Sequence, residues 1–207
     1  MFLNWLKPNT IQALHIIGLK TLIHVVSLYL LISTYYLALT GDIGGDPVQT
    51  LTHFTGIGAF NLLILTLCVS PLARYLRQGQ LLRVRRLIGL YAFVYAACHL
   101  YVYVAYDLIY DWTLLVNEII DRPYITVGFS ALLILLALTV TSLPALMRKM
   151  GKRWKHLHNL IYVAAILVGI HFLWSVKSDI VEPTLYLGIV AALLVLRYEK
   201  LARYWRR

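Results

Sequence analysis

"GKRWKHLHNLIYVAAILVGIHFLWSVK", residues 151–177, opens with basic residues, runs through a mostly apolar stretch and closes at Lys177, yet carries His158 and His171 inside the run. About 20 apolar residues, rising ~1.5 Å each, carry a helix across the hydrocarbon core of a bilayer. An ionisable side chain at that depth is costly, so it faces a cavity, a partner or a cofactor. The stretch therefore predicts a helix in lipid and asks what two histidines do there.

Working outward, five further windows read the same way, giving predicted spans at roughly 11–39, 54–73, 87–107, 123–146, 157–176 and 183–202. The 207-residue chain is 60% hydrophobic with a mean hydropathy of +0.74, too apolar for an ordinary soluble domain. Its longest connections, 40–53 and 108–122, are too short to fold alone. The expected fold is all-α: one polytopic domain over 1–207, a six-helix transmembrane bundle. "WTLLVNEII", 112–120, is too short to span and is expected to lie in the interface, leading to Arg122 and to Pro123 at the start of the fourth span. Trp5, Trp112, Trp154, Trp174 and Trp205 all fall near span ends, where an amphipathic ring is most at ease. The first apolar segment is long, contains Lys20 and lacks a small-residue cleavage site, so no cleaved signal peptide is expected.

The net charge of +10 would fit a nucleic-acid partner if the charges were mixed, but they are sorted by side. With both termini cytoplasmic, that face collects Lys7, Arg74, Arg77, Arg83, Arg85, Arg86, Arg148, Lys149, Lys152, Arg153, Lys155, Arg197, Lys200, Arg203, Arg206 and Arg207, sixteen of nineteen basic residues. Across the membrane lie Arg122 and Lys177 with eight of nine acids: Asp42, Asp46, Asp107, Asp111, Glu118, Asp121, Asp179 and Glu182. This is the positive-inside pattern, and it assigns the basic residues to topology and lipid headgroups rather than to nucleic acid. Cys68 and Cys98 both fall within spans, form no CxxC pair and read as small apolar fillers.

Depth separates the seven histidines. His99 lies about 18 Å along the third span from its cytoplasmic start, and His171 about 21 Å along the fifth. Neutral imidazole suits haem iron, one nitrogen ligating while the other is oriented by an acceptor. A haem held between His99 and His171 is the sharpest reading of this spacing, against buried histidines that merely bond a carbonyl. His158 sits about 20 Å from His171 along the axis, at the cytoplasmic level, where it could serve a second, inner haem. Thirteen residues at ~100° each leave the two about 140° apart, so a shared face requires a bend or bulge, for instance near Gly169. The position thirteen before His99 is Arg86, which cannot ligate iron, leaving His15 as the best-placed partner for His158 by depth. His156 reads as solvated. His24 is open between a helix–helix hydrogen bond and a cofactor contact, and His53 among a quinone oxygen, a propionate and a backbone carbonyl.

The motifs "DPVQTLTHFTG" (46–56), "SPLARY" (70–75), "RRLIGL" (85–90), "HLYVY" around His99, "RPYITVG" (122–128), "GKRWKHLHNLIY" (151–162) and "HFLWSVK" (171–177) together resemble the MsrQ family, also called YedZ, over nearly the whole chain. That family is the haem-binding membrane subunit of a bacterial periplasmic methionine sulfoxide reductase system. The resemblance implies a ferric-reductase-like domain of six helices in the inner membrane, binding one or two haems b, with His99, His158 and His171 at the histidines associated with haem. It also implies electrons from the quinone pool, FMN binding, and delivery to a periplasmic molybdenum-containing subunit that reduces methionine sulfoxide. Relatives of this fold that oxidise NADPH carry a flavin and nucleotide domain, and this chain has no GxGxxG for one, so a membrane carrier or a separate reductase is the expected donor. The rival from another class is a haem-free transporter or channel whose histidines line a proton or metal path.

Overall fold

The computed structural model describes residues 8–176 and 180–197, and within the first helix the side chains from residue 14 onward. Lys7, Lys177, Asp179, Lys200, Arg203, Arg206, Arg207, Trp5, Trp205 and the end of the last predicted span lie outside the described residues.

Among the described residues the chain is helical. Helix α1 (Pro8–Thr40) is followed by α2 (Pro47–Tyr75), then a 3-10 turn at Gly79–Leu81 and α3 (Leu82–Val102), which continues as a π-turn over Tyr103–Asp107. Helix α4 (Trp112–Asp121) leads to α5 (Pro123–Val140), α6 (Pro144–Met150), α7 (Lys152–His158), α8 (Leu160–Ser175) and α9 (Val181–Val195). Five segments are long and apolar enough to cross a bilayer: 14–40, 47–75, 79–107, 123–140 and 152–175. The apolar α9 has 15 described residues, short of a full crossing.

Local chemistry sets the boundaries. Gly41, Gly44 and Gly45 all take positive φ in the loop after α1. Asp46 then caps α2, its carboxylate accepting from Val48 N (2.9 Å) and Gln49 N (3.3 Å), with Pro47 at the first helical position. Asp111 caps α4 through Leu114 N (2.9 Å), and Pro123 opens α5. Glu118 joins α4 to α5 by pairing with Arg122 (2.7 Å) while it accepts from the Tyr103 hydroxyl (3.0 Å).

Two helical hairpins, α2–α3 and α5–α8, carry the closest packing, and α9 covers α8 and α2. Their shared core joins Phe60, Leu63 and Leu67 of α2, Ala92 of α3, Leu135 of α5, Ala164 and Ala165 of α8, and Val190 of α9. Helix α1 lies outside this core against α2 and α3. Its outward face is apolar: Ile17, Tyr29, Ile32 and Leu39 are exposed, as are Leu65, Leu133, Val163 and Leu185 on other helices. A soluble protein would bury such residues, whereas lipid is their natural surrounding.

Three expectations shift. The fourth span stops at Val140 rather than running to 146, because Leu143 turns extended and Pro144 starts a separate helix. The break in the fifth span falls at Asn159, one residue past His158, not near Gly169, which instead receives the Leu187 side chain. The sixth span is seen only as α9.

Candidate functional site

His99 on α3 and His171 on α8 face each other at the same height, with ring centroids 6.2 Å apart and ring planes nearly perpendicular at 83°. Each ring is held the same way. His99 Nδ1 bonds the Thr52 carbonyl on α2 at 2.9 Å, and His171 Nδ1 bonds the Tyr124 carbonyl on α5 at 2.7 Å. A carbonyl only accepts, so both Nδ1 atoms carry the proton and both Nε2 atoms keep a lone pair.

Glycine makes room for both rings. A Cβ on Gly56, one turn past Thr52, would come within 3.0 Å of His99 Nδ1, and a Cβ on Gly128, one turn past Tyr124, within 2.5 Å of His171 Nδ1. The match is an internal repeat: a shift of 72 residues carries Thr52 to Tyr124, Gly56 to Gly128, Ala59 to Ala131, Leu63 to Leu135, Ser70 to Ser142, Ala92 to Ala164 and His99 to His171. Ala59, Leu63, Ala92, Ala131, Leu135 and Ala164 are all buried, so the identities mark the core faces of two like hairpins. The repeat is open to inspection in the sequence, and a reading based on spans alone misses it.

This donor set fits haem. A metal bound through both Nε2 atoms at ~2 Å, each nitrogen about 1.1 Å from its ring centre, sets the centroids about 6 Å apart. Two neutral imidazoles with oriented Nδ1–H groups would hold a haem iron through their free Nε2 lone pairs. No group of three or more His, Cys, Asp or Glu side chains able to hold a bare metal ion occurs among the described residues. Thr52 Oγ1, beside the His99 acceptor, is buried without a hydrogen-bond partner, a polar atom that the described protein groups leave unsatisfied.

The remaining histidines separate. His158 Nε2 lies 3.1 Å from the Thr141 hydroxyl, its ring stacks on Trp154 at 3.9 Å, and Trp154 Nε1 donates to the Thr141 carbonyl at 2.9 Å. His15 is exposed on α1, and the structure does not bring it to His158. His24 Nδ1 meets the Tyr91 hydroxyl at 2.6 Å, which makes it a helix–helix contact. His156 and His53 are exposed. Cys68 and Cys98 are free and half-buried.

Fold and site together define a helical membrane protein that presents a pair of oriented imidazoles between two like hairpins. Residues 55–169 match the family model described as ferric reductase like transmembrane component. Proteins described as the haem-binding subunit MsrQ of protein-methionine-sulfoxide reductase, from Salmonella paratyphi B, Salmonella heidelberg and Salmonella typhimurium, are each 45% identical over 197 residues, 95% of this chain and 99% of theirs. The chain thus belongs to the ferric-reductase-like transmembrane family and, within it, to the MsrQ family.

Proposed function

We propose that this chain is the haem-carrying electron-transfer subunit of a protein methionine sulfoxide reductase system, in which His99 and His171 would hold a haem b. The observation that carries the reading is the facing pair at 6.2 Å with both Nδ1 atoms on backbone carbonyls. The haem, when bound, supplies a one-electron store whose potential is set by its ligands and its burial. The protein fixes the tautomer and angle of both rings and keeps the site away from water.

Sulfoxide reduction consumes two electrons and two protons and releases water. In this reading it happens on a periplasmic molybdenum-containing partner, while a quinol in the membrane gives up two electrons and two protons upstream. The sorted charges support an inner-membrane orientation with both termini cytoplasmic and the His99–His171 level nearer the periplasm. His158 is the candidate ligand for a distinct inner haem on family resemblance, and to ligate through Nε2 it must give up its contact with Thr141.

The test is the haem-to-protein ratio and the dithionite-reduced spectrum of wild type, His99→Ala, His171→Ala and His158→Ala. Wild type should be red. The first two variants should each lose the same haem, and His158→Ala should remove a different spectral component. A well-folded wild type that stays colourless after added haem would sink the proposal in favour of a histidine-lined transporter. A His158→Ala variant with full haem content and an unchanged spectrum would remove His158 as a ligand.

A further inference from the structure

Helix α1 leans on α2 and α3 and leaves a groove of about 730 Å³ that runs from the acidic end of α2 toward the middle of the bundle. Its walls are apolar, with Val26, Leu30, Phe54, Ile57 and Leu65 among them. Tyr95 lines it too and is pinned in place: its hydroxyl donates to the Ser27 carbonyl (2.8 Å), and its ring fills the space that a Cβ on Gly58 would take. The apolar walls meet Gln49 and His53, one helical turn apart on α2. Neither side chain has a hydrogen-bond partner among the described residues.

The internal repeat shows that the haem cradle does not require His53. The positions equivalent to His53 and Asn61 on α5 are Ile125 and Leu133, ordinary residues for a helix in lipid. Asn61 has its own reason, because its Oδ1 accepts from the Tyr186 hydroxyl (2.8 Å). His53 has none: it lies exposed on α2, about 9 Å along the helix from Pro47 and near the membrane boundary, where a quinone ring would sit. It is also one residue from Thr52, whose carbonyl holds His99.

A groove with a long apolar wall and two hydrogen-bonding side chains at one end suits a lipid-soluble ring that bears oxygens and trails a hydrocarbon tail. We infer that the α1–α2 groove binds a membrane quinone, with His53 and Gln49 hydrogen-bonding the ring oxygens and the tail lying along Val26, Leu30 and Ile57. This rests on the reading of a quinol as donor, and it places that donor beside the peptide that orients His99.

The test uses full-length, haem-loaded protein in nanodiscs of defined phospholipid, with a photoreactive azido-ubiquinone of short tail as probe. Label should map to residues 24–30 and 47–65, displaced by unlabelled short-tailed ubiquinone and not by added phospholipid. His53→Leu and Gln49→Leu should each raise the Kd about tenfold while haem content and spectrum stay as in wild type. Label confined to other segments, equal displacement by phospholipid, or wild-type affinity in His53→Leu would each overturn the assignment. Quinol that reduces the haem while label maps elsewhere sinks the groove alone. A haem that no quinol reduces sinks the donor reading, and the labelling pattern still decides whether the groove takes the ring.

Discussion

The seats of the two histidine rings depend on neighbouring glycines and carbonyls. Gly128 gives His171 its seat, and any Cβ there would press on Nδ1 at 2.5 Å and Cε1 at 2.8 Å, distances that force the ring or the helix to move. Gly56 is less tight, with 3.0 and 3.1 Å to the same atoms of His99. Gly128→Ala should therefore tilt His171 off its carbonyl and cut haem retention about tenfold, while Gly56→Ala weakens it by a smaller factor. Both variants should keep wild-type helicity by circular dichroism, since alanine favours helix over glycine. Equal, full haem occupancy in both would show that the glycines are packing residues only. The heights of His99 and His171 were legible from helix rise alone. Their acceptors at Thr52 and Tyr124 were not, because each lies 47 residues away in sequence and on another helix.

At the scale of the helix, two similar prolines have opposite outcomes. Pro71 lies inside α2, where its missing N–H leaves the Leu67 carbonyl without its helical donor. In lipid such an orphan costs several kcal/mol. Arg197, buried beyond the end of α9, donates Nη2 to that carbonyl and Nη1 to the Tyr162 hydroxyl (3.0 Å), with its guanidinium 5.4 Å from the Tyr162 ring centroid. The carbonyl that Pro144 frees is that of Val140, and among the described residues it is served from within: Leu143 N closes on it at 3.2 Å and the span ends. Local sequence signals alike, "SPLA" and "SLPA", so a reading of the chain had no means to tell a crossed proline from a terminating one. Arg197→Leu should cost about 1.5–3 kcal/mol in detergent unfolding, the range for a lost charged hydrogen bond. In a Pro71→Ala background the backbone N–H restored at position 71 serves the Leu67 carbonyl, and the same substitution should cost about 1 kcal/mol less. Additive costs in the double-mutant cycle would mean that Arg197 and Pro71 act independently.

For the whole molecule, charge and duplication point to the same arrangement. The repeat relates α2–α3 to α5–α8 without inversion, so both hairpins start at the end holding Asp46, Asp111 and Asp121 and turn at the end holding Arg74, Arg85, Arg148 and Lys152. The facing histidines then fall between the hairpins at equal depth, and the loops sort by charge as a parallel repeat requires. The apolar windows and basic loops made the all-helical membrane class legible. They overran the fourth span, for the reason that Pro144 gives, and they passed over the repeat because its identities are small core residues rather than charges or turns. Orientation is the step that the charges predict and that labelling can settle. In a background where Cys68 and Cys98 are replaced by alanine, Asp42→Cys in the loop before α2 and Gln78→Cys in the loop before α3 each place one thiol at an exposed position at opposite ends of the bundle. The positive-inside rule predicts that a membrane-impermeant maleimide reacts with the Asp42→Cys thiol in intact spheroplasts and with the Gln78→Cys thiol only after lysis. The reverse pattern would turn the bundle over, moving the His99–His171 pair toward the cytoplasm and away from any periplasmic acceptor. Reaction of both thiols in intact spheroplasts would mean that the α2 span does not separate them across the bilayer.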